Sequence, residues 1–367
     1  MNEMPPLPTS GGEVKIDWTG AKKINLALQG GGAHGAFTWG VLDYILEDGR
    51  LDVEAITGTS AGAMNAAVYA EGYLENGRKG AREALAEFWH EVSEEGRMSP
   101  IQRSLMDQLM GDWSLEHSPG LWFMDIFTRI TSPYEFNPHN LNPLRDFIAK
   151  RINFDAVRAC EEIKLFISAT NVYTGKVRAF ERHELTADHI MASACLPFLF
   201  QAVEIDGEAY WDGGYMGNPA LFPLFYDNAC DDTLLVQINP IERRELPRRA
   251  RDIQNRVNEI SFNGNLLHEL RAVNFVSRLI DEGKLSRDEY KRVLIHRIEG
   301  AEKMKTFSAS SKLNAEWGFL EHLRDIGRDA AKAWIDQHYD DIGVRSTIDI
   351  KDAIRETVVP AVLALDD

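Results

Sequence analysis

An α/β fold is predicted by a strand–turn–helix unit near the start of the chain and by its repetition about thirty residues later. Ile24-Asn25-Leu26-Ala27-Leu28 reads as a short buried strand. The glycines of residues 30–35 interrupt it, and residues 36–47 carry Val41, Leu42, Ile45 and Leu46 at helical spacing. Residues 53–57 form the second strand, residues 58–62 a tight turn, and residues 63–70 a helix of small side chains able to pack closely on a sheet. Two such units in tandem imply a mainly parallel, doubly wound sheet with helices on both faces, a three-layer α/β/α sandwich.

Residues 1–20, rich in Pro, Gly, Ser and Thr, are expected to form a flexible arm. Residues 21–240 hold the α/β domain. Within it, residues 93–143 scatter Trp113, Trp122, Phe123, Met124, Phe127, Tyr134 and Phe136 among prolines and polar residues, which suggests an aromatic, lid-like insert. A helix follows over residues 144–151. Strands are then expected over 164–170 and 176–180, joined around Thr174-Gly175, and a helix over 187–194 that stops before Pro197. A hairpin turning at Asp206-Gly207 joins 203–205 to 209–211, and 234–238 reads as the last strand. Residues 241–367 are expected to form a helical C-terminal extension packed on this domain. It opens with a basic cluster, Arg243, Arg244, Arg248, Arg249, Arg251 and Arg256. Leu266, Leu270, Val273, Val276 and Ile280 then share one helix face, and further helices are expected over 320–337 and 350–363.

Composition narrows the function. The 367 residues are 44% hydrophobic and 26% charged, the balance of a folded globular chain. A formal net charge of −17 repels phosphate backbones, so nucleic acid is not an expected partner. The N-terminus lacks the pattern of a secretory signal, and no stretch reaches the roughly 18 apolar residues of a membrane span. Cys160, Cys195 and Cys230 are far apart and match no metal-ligand spacing. They read as small buried side chains in a reducing cytoplasm, and no metal is expected.

Gly58-Thr59-Ser60-Ala61-Gly62 is a G-x-S-x-G between a predicted strand and a predicted helix. Such a turn strains the serine backbone, exposes its hydroxyl and directs a helix N-terminus at it. Gly58 and Gly62 let strand and helix approach. Ester cleavage also needs a base and donors for the developing oxyanion. Gly30-Gly31-Gly32-Ala33-His34-Gly35 follows the first strand and opens a helix, so its successive amides can converge on one anion. Gly30, Gly32 and Gly35 also satisfy G-x-G-x-x-G. A dinucleotide site, however, wants an acidic residue at the end of the second strand, where Thr57-Gly58-Thr59-Ser60 stands; Asp52 and Glu54 lie near its start.

Taken with Ala192-Ser193-Ala194-Cys195-Leu196-Pro197-Phe198 and Asp212-Gly213-Gly214, these two motifs resemble, in order, the four motifs of the patatin-like phospholipases. The resemblance covers roughly residues 24–225. It implies the patatin-like sandwich and a lipid acyl hydrolase of the phospholipase A type or a related lipid esterase. It implies Ser60 as nucleophile, Asp212 as the base that takes its proton with no intervening histidine, and an oxyanion hole from Gly30, Gly31, Gly32, Ala33 and Gly35. No cofactor is required. The expected partner is a lipid ester at a membrane or lipid surface, and the expected location is cytoplasmic, peripheral to membranes. One departure stands out: the family commonly has Lys or Arg before the last glycine of the loop, and here that residue is His34. A histidine there either orients the loop through a hydrogen bond or titrates with activity. Two other readings stay open. One is a Ser-His-Asp hydrolase using His268 or His296; the other is a non-catalytic lipid-binding or scaffold protein on the same fold.

Overall fold

A computed structural model describes residues 20–226, 229–243 and 246–350. The expected arm, apart from Gly20, and the expected last helix, apart from Ile350, lie outside the described residues, as does Arg244.

The two expected units are present: β1 (Lys22–Leu28), α1 (Gly35–Asp48), β2 (Leu51–Gly58) and α2 (Ala61–Gly96), the last broken at Asn76 and Gly77. Residues 93–143 add three short helices, α3 (Leu105–Leu109), α4 (Pro119–Ile130) and α5 (Pro133–Phe136). Then come α6 (Pro143–Arg151), α7 (Phe154–Ala159), β3 (Lys164–Asn171), β4 (Val177–Glu181) and α8 (Ala187–Ser193). The hairpin β5 (Val203–Ile205) and β6 (Glu208–Asp212) turns through Asp206 and Gly207, both with positive φ, as the twist of a tight hairpin requires. The chain closes with α9 (Pro223–Tyr226), β7 (Asp232–Gln237), α10 (Ala250–Asp281), β8 (Leu294–Glu299), α11 (Ala301–Lys305) and α12 (Trp317–His338).

The strands make one sheet in the order β5-β6-β3-β2-β1-β7-β8, with β4 also on β3. The five strands β3-β2-β1-β7-β8 run parallel; β4, β5 and β6 pair antiparallel. The expectation that 234–238 is the last strand is corrected, because β8 pairs in parallel register with β7 over its whole length. His296 and Arg297 interrupt its apolar run; Asp232 of β7 pairs with the first, and Glu299 of β8 itself with the second.

Alternation along the strands builds the three layers. Ile24, Leu26 and Leu28 of β1 and Leu234 and Val236 of β7 pack with α1, α2 and α12. Ala27 and Leu235, facing the other way, pack with Leu221, with Leu224 of α9 and with Leu266, Leu270 and Val273 of α10. α12 lies directly on α1. Any Cβ at Gly40 of α1 or Gly327 of α12 would collide with a backbone carbonyl of the opposite helix. Beside this crossing the buried Asp43 carboxylate takes Arg82 of α2 at 2.8 Å and pairs with Arg328 of α12, so one charge ties three helices together.

Gly327→Ala should therefore destabilise the protein by about 1–3 kcal/mol through overpacking. The measurement is the urea midpoint at unchanged slope; an unaltered midpoint would mean that α12 does not approach α1 this closely.

Candidate active site

β2 ends at Gly58 and α2 starts at Ala61, which leaves two residues to reverse the chain. Ser60 takes φ 53° and ψ −119°, a conformation a side chain rarely adopts, and it stands partly exposed at the C-terminal edge of the sheet. A Cβ on Gly58 would lie 2.6 Å from the Gly62 carbonyl oxygen, and one on Gly62 would strike the Leu28 carbonyl, so the turn closes only with glycine at both positions.

β3 acts as the ruler that brings the second residue to Ser60. Gly58 pairs with Ile167 and Asp212 with Ala169, two residues further along the same strand. The Asp212 amide donates to the Cys195 carbonyl at 2.8 Å, its carbonyl accepts from the Thr170 hydroxyl at 2.8 Å, and its Oδ1 accepts from the Gly214 amide at 2.7 Å. The Ser60 amide donates to the Ser193 hydroxyl at 2.9 Å. Residues 192–198 thus clamp both partners, Ser60 through Ser193 and Asp212 through Cys195. Burial raises the Asp212 pKa to about 7 against the opposing pull of the Gly214 amide and of the Ser60 side chain beside it.

The loop over residues 30–35 closes the cleft, but its amides divide. The Gly30 amide is taken by Asn218 Oδ1 at 2.7 Å, and the Gly35 amide by the carbonyls of Gly32 and Ala33. Gly31, Gly32 and Ala33 have no acceptor for their amides among the described residues. Of the five positions expected at the oxyanion hole, Gly30 and Gly35 have their amides engaged elsewhere. Gly30 and Gly35 serve by being small: a Cβ would come within 2.8 Å of Ser60 Cβ at the first and 2.7 Å of Ala61 Cβ at the second.

A loop of free amides, then a serine on a strained turn facing it, then a buried carboxylate beside that serine follow, in sequence order, the pattern of one family, and the model of that family, the patatin-like phospholipases, matches residues 26–226. The chain belongs to the patatin-like phospholipase family. It is thereby a member of a family of lipid hydrolases. VipD from Legionella pneumophila is a distant structural neighbour, 14% identical over 86% of this chain and 67% of that one, with a TM-score of 0.40. The type III effector ExoU of Pseudomonas aeruginosa is another, 14% identical over 85% of this chain and 53% of that one, with a TM-score of 0.33. The chain thus spans about two thirds of the first and about half of the second. No curated protein matches the sequence.

At the position where the patatin-like pattern commonly has a basic residue, His34 is buried against Phe307 and Phe319. Its Nε2 lies 2.7 Å from the Ser311 hydroxyl, which itself donates to the Ser308 carbonyl, so the network assigns the proton to His34 Nε2. Burial, with the nearby charges of Lys312 and Arg243, lowers its pKa to about 3. The buried placement and the Ser311 hydrogen bond favour the orienting role over titration with activity. Lys312 instead places its amine behind the loop, with burial lowering its pKa from the ordinary lysine value. It donates to Asn239 Oδ1 at 2.6 Å, and Asn239 Nδ2 donates to the Gly30 carbonyl at 2.7 Å. Gln29 completes the network by accepting from the amides of Ile238 and Asn239, each at 2.9 Å.

None of Gln29, Asn218, Asn239, Ser311 or Lys312 carries a local sequence signal, since each matters only through partners far along the chain. The histidines of the triad reading sit elsewhere. His296 of β8 is bound at 2.8 Å to Asp232, the first residue of β7 and so at the opposite end of that strand from the cleft, and His268 is exposed on α10. The three cysteines are buried free thiols, and no group of three metal-binding side chains gathers among the described residues.

The His34 ring should show no protonation between pH 5 and pH 8 by NMR. A midpoint near pH 6.5 would contradict the buried, hydrogen-bonded placement.

Proposed function

We propose that the protein hydrolyses lipid esters with Ser60 as nucleophile and Asp212 as its base. The Ser60 hydroxyl attacks the ester carbonyl while its proton passes to Asp212, and the carbonyl oxygen takes up negative charge. The amides of Gly31, Gly32 and Ala33 receive that charge, assisted by the N-terminus of α2. Collapse expels the alcohol, which leaves with the proton held by Asp212. Water, deprotonated by the same carboxylate, then attacks the acyl-Ser60 ester and releases the fatty acid.

The observation that carries this reading is the buried Asp212 carboxylate beside the Ser60 hydroxyl, with no histidine between them. An ordinary aspartate is too weak a base at neutral pH; burial that raises its pKa to about 7 makes it a better one. The match to a lipid-hydrolase family supports lipid esters as the substrate class. The intact arrangement speaks against a scaffold that has lost its chemistry. The three reduced thiols support a cytoplasmic setting, with the protein peripheral to membranes. No helix among the described residues is long and apolar enough to cross one.

Ser60→Ala and Asp212→Asn should each remain folded and lose ester hydrolysis by more than about a thousandfold. A fluorophosphonate should label the native protein at Ser60 and not the urea-unfolded chain; turnover kept in either variant ends the assignment. Because the ionised carboxylate is the active form and burial raises its pKa, kcat/KM should climb with pH to a plateau above about 7. A plateau already reached near pH 5 would mean an unperturbed aspartate.

A further inference from the structure

Three features of one face lie outside the chemistry of Ser60. The first is apolar. α4 turns Leu121 inward and leaves Trp122, Phe123, Ile126 and Ile130 between 44% and 74% exposed. α10 carries a second outward stripe, Ile253, Val257 and Ile260, at helical spacing and about half exposed. Arg129 of α4 donates to Gln254 of α10 at 3.3 Å, so the stripes adjoin. Contiguous exposed apolar surface of this kind marks a contact face.

The second feature is charge. Arg248 and Arg249, just before α10, are exposed and meet no acidic partner among the described residues. With Phe307 they line a groove of about 930 Å³. Arg243 and Arg256, in the same groove, are already paired with Glu259. In a chain of net charge −17 this unpaired basic rim runs against the overall field.

The third feature is position. Phe307 of the groove packs on the His34 ring behind the oxyanion loop, centroids 5.9 Å apart. Phe262, two residues past Ile260, packs on Tyr215 beside Asp212, centroids 5.2 Å apart. At its other end the insert is fastened to the Asp212 side of the cleft: the Ala202 amide donates to the Tyr134 hydroxyl at 3.1 Å, and Gln201 Nε2 to the Asn137 carbonyl at 2.7 Å.

We propose that this face docks on an anionic lipid surface, its two apolar stripes entering the boundary of the acyl region while Arg248 and Arg249 take headgroup phosphates. A protein seated this way turns the Ser60 cleft towards the bilayer, so an ester reaches the serine without crossing water. The purpose of the docking rests on the hydrolase reading above, but the docking itself is measured without turnover.

The experiment uses full-length Ser60→Ala protein and sedimentation with vesicles of phosphatidylcholine alone or mixed with phosphatidylglycerol. Binding should favour the mixed vesicles. Arg248→Glu with Arg249→Glu should weaken that binding by at least about fivefold per arginine and leave binding to phosphatidylcholine unchanged. Trp122→Ser with Phe123→Ser should weaken binding to both by at least about tenfold. With Ser60 restored, the same four substitutions should keep hydrolysis of a short soluble ester within about twofold. Equal binding by parent and variants overturns the proposal. So does a dimer in sedimentation velocity that Trp122→Ser with Phe123→Ser dissociates, because the stripes would then cover a second copy. Vesicle binding without fluorophosphonate labelling of Ser60 would uphold docking and remove the hydrolase reading instead.

Discussion

The chemistry of this protein turns on one carboxylate held out of water with no cation among the described residues to neutralise it. Asp212 has the Gly214 amide and the Ser60 hydroxyl for company, and neither offsets the loss of solvation, so its pKa rises to about 7. Much of the surrounding structure maintains that condition. β3 sets Asp212 two residues beyond the point where β2 ends, the carbonyl of Cys195 and the hydroxyl of Thr170 grip its backbone, and Phe262 packs over the adjoining turn. The same segment that grips Asp212 also holds the Ser60 amide through Ser193. Two residues remote in the chain therefore share one rigid support, which preorganised proton transfer requires.

The C-terminal part of the chain is bound into this arrangement. β8 extends the sheet, α12 locks α1, and the short 3-10 turn Ala309–Leu313 backs the glycine loop. Through Ser311 it fixes His34, and through Lys312 and Asn239 it fixes the Gly30 carbonyl. A neutral, buried histidine cannot supply the positive potential of a fixed cation. Here a lysine nearly three hundred residues away, itself lowered in pKa by burial, holds the loop through Asn239.

The first strands, the G-x-S-x-G turn and the Asp206-Gly207 hairpin were readable from the sequence because each is dictated locally, by alternation or by residues suited to positive φ. The aromatic insert was readable as an interruption but not in its division of labour. Trp113 stacks on Phe319 at 5.3 Å under the Arg103 guanidinium, whereas Trp122 and Phe123 face solvent. Spacing along the chain does not separate these fates, since burial depends on a helix two hundred residues later. The polar network of Gln29, Asn218 and Asn239 was invisible for the same reason, and β8 was hidden because its His296 is satisfied by partners remote in the chain, Asp232 of β7 and Thr347. Asp212 itself stood out only in the company of the other motifs; its tripeptide alone reads as an ordinary turn.

The most direct measurement is a carbon NMR titration of the protein labelled at its aspartate carboxyl carbons. One resonance should titrate near pH 7, vanish in Asp212→Asn, and move to a higher midpoint in Ser60→Ala, where the hydrogen-bonding neighbour that favours the charged form is gone. An Asp212 resonance that titrates near its reference value of about 3.9, indifferent to the loss of Ser60, would contradict a buried carboxylate poised to take the serine proton.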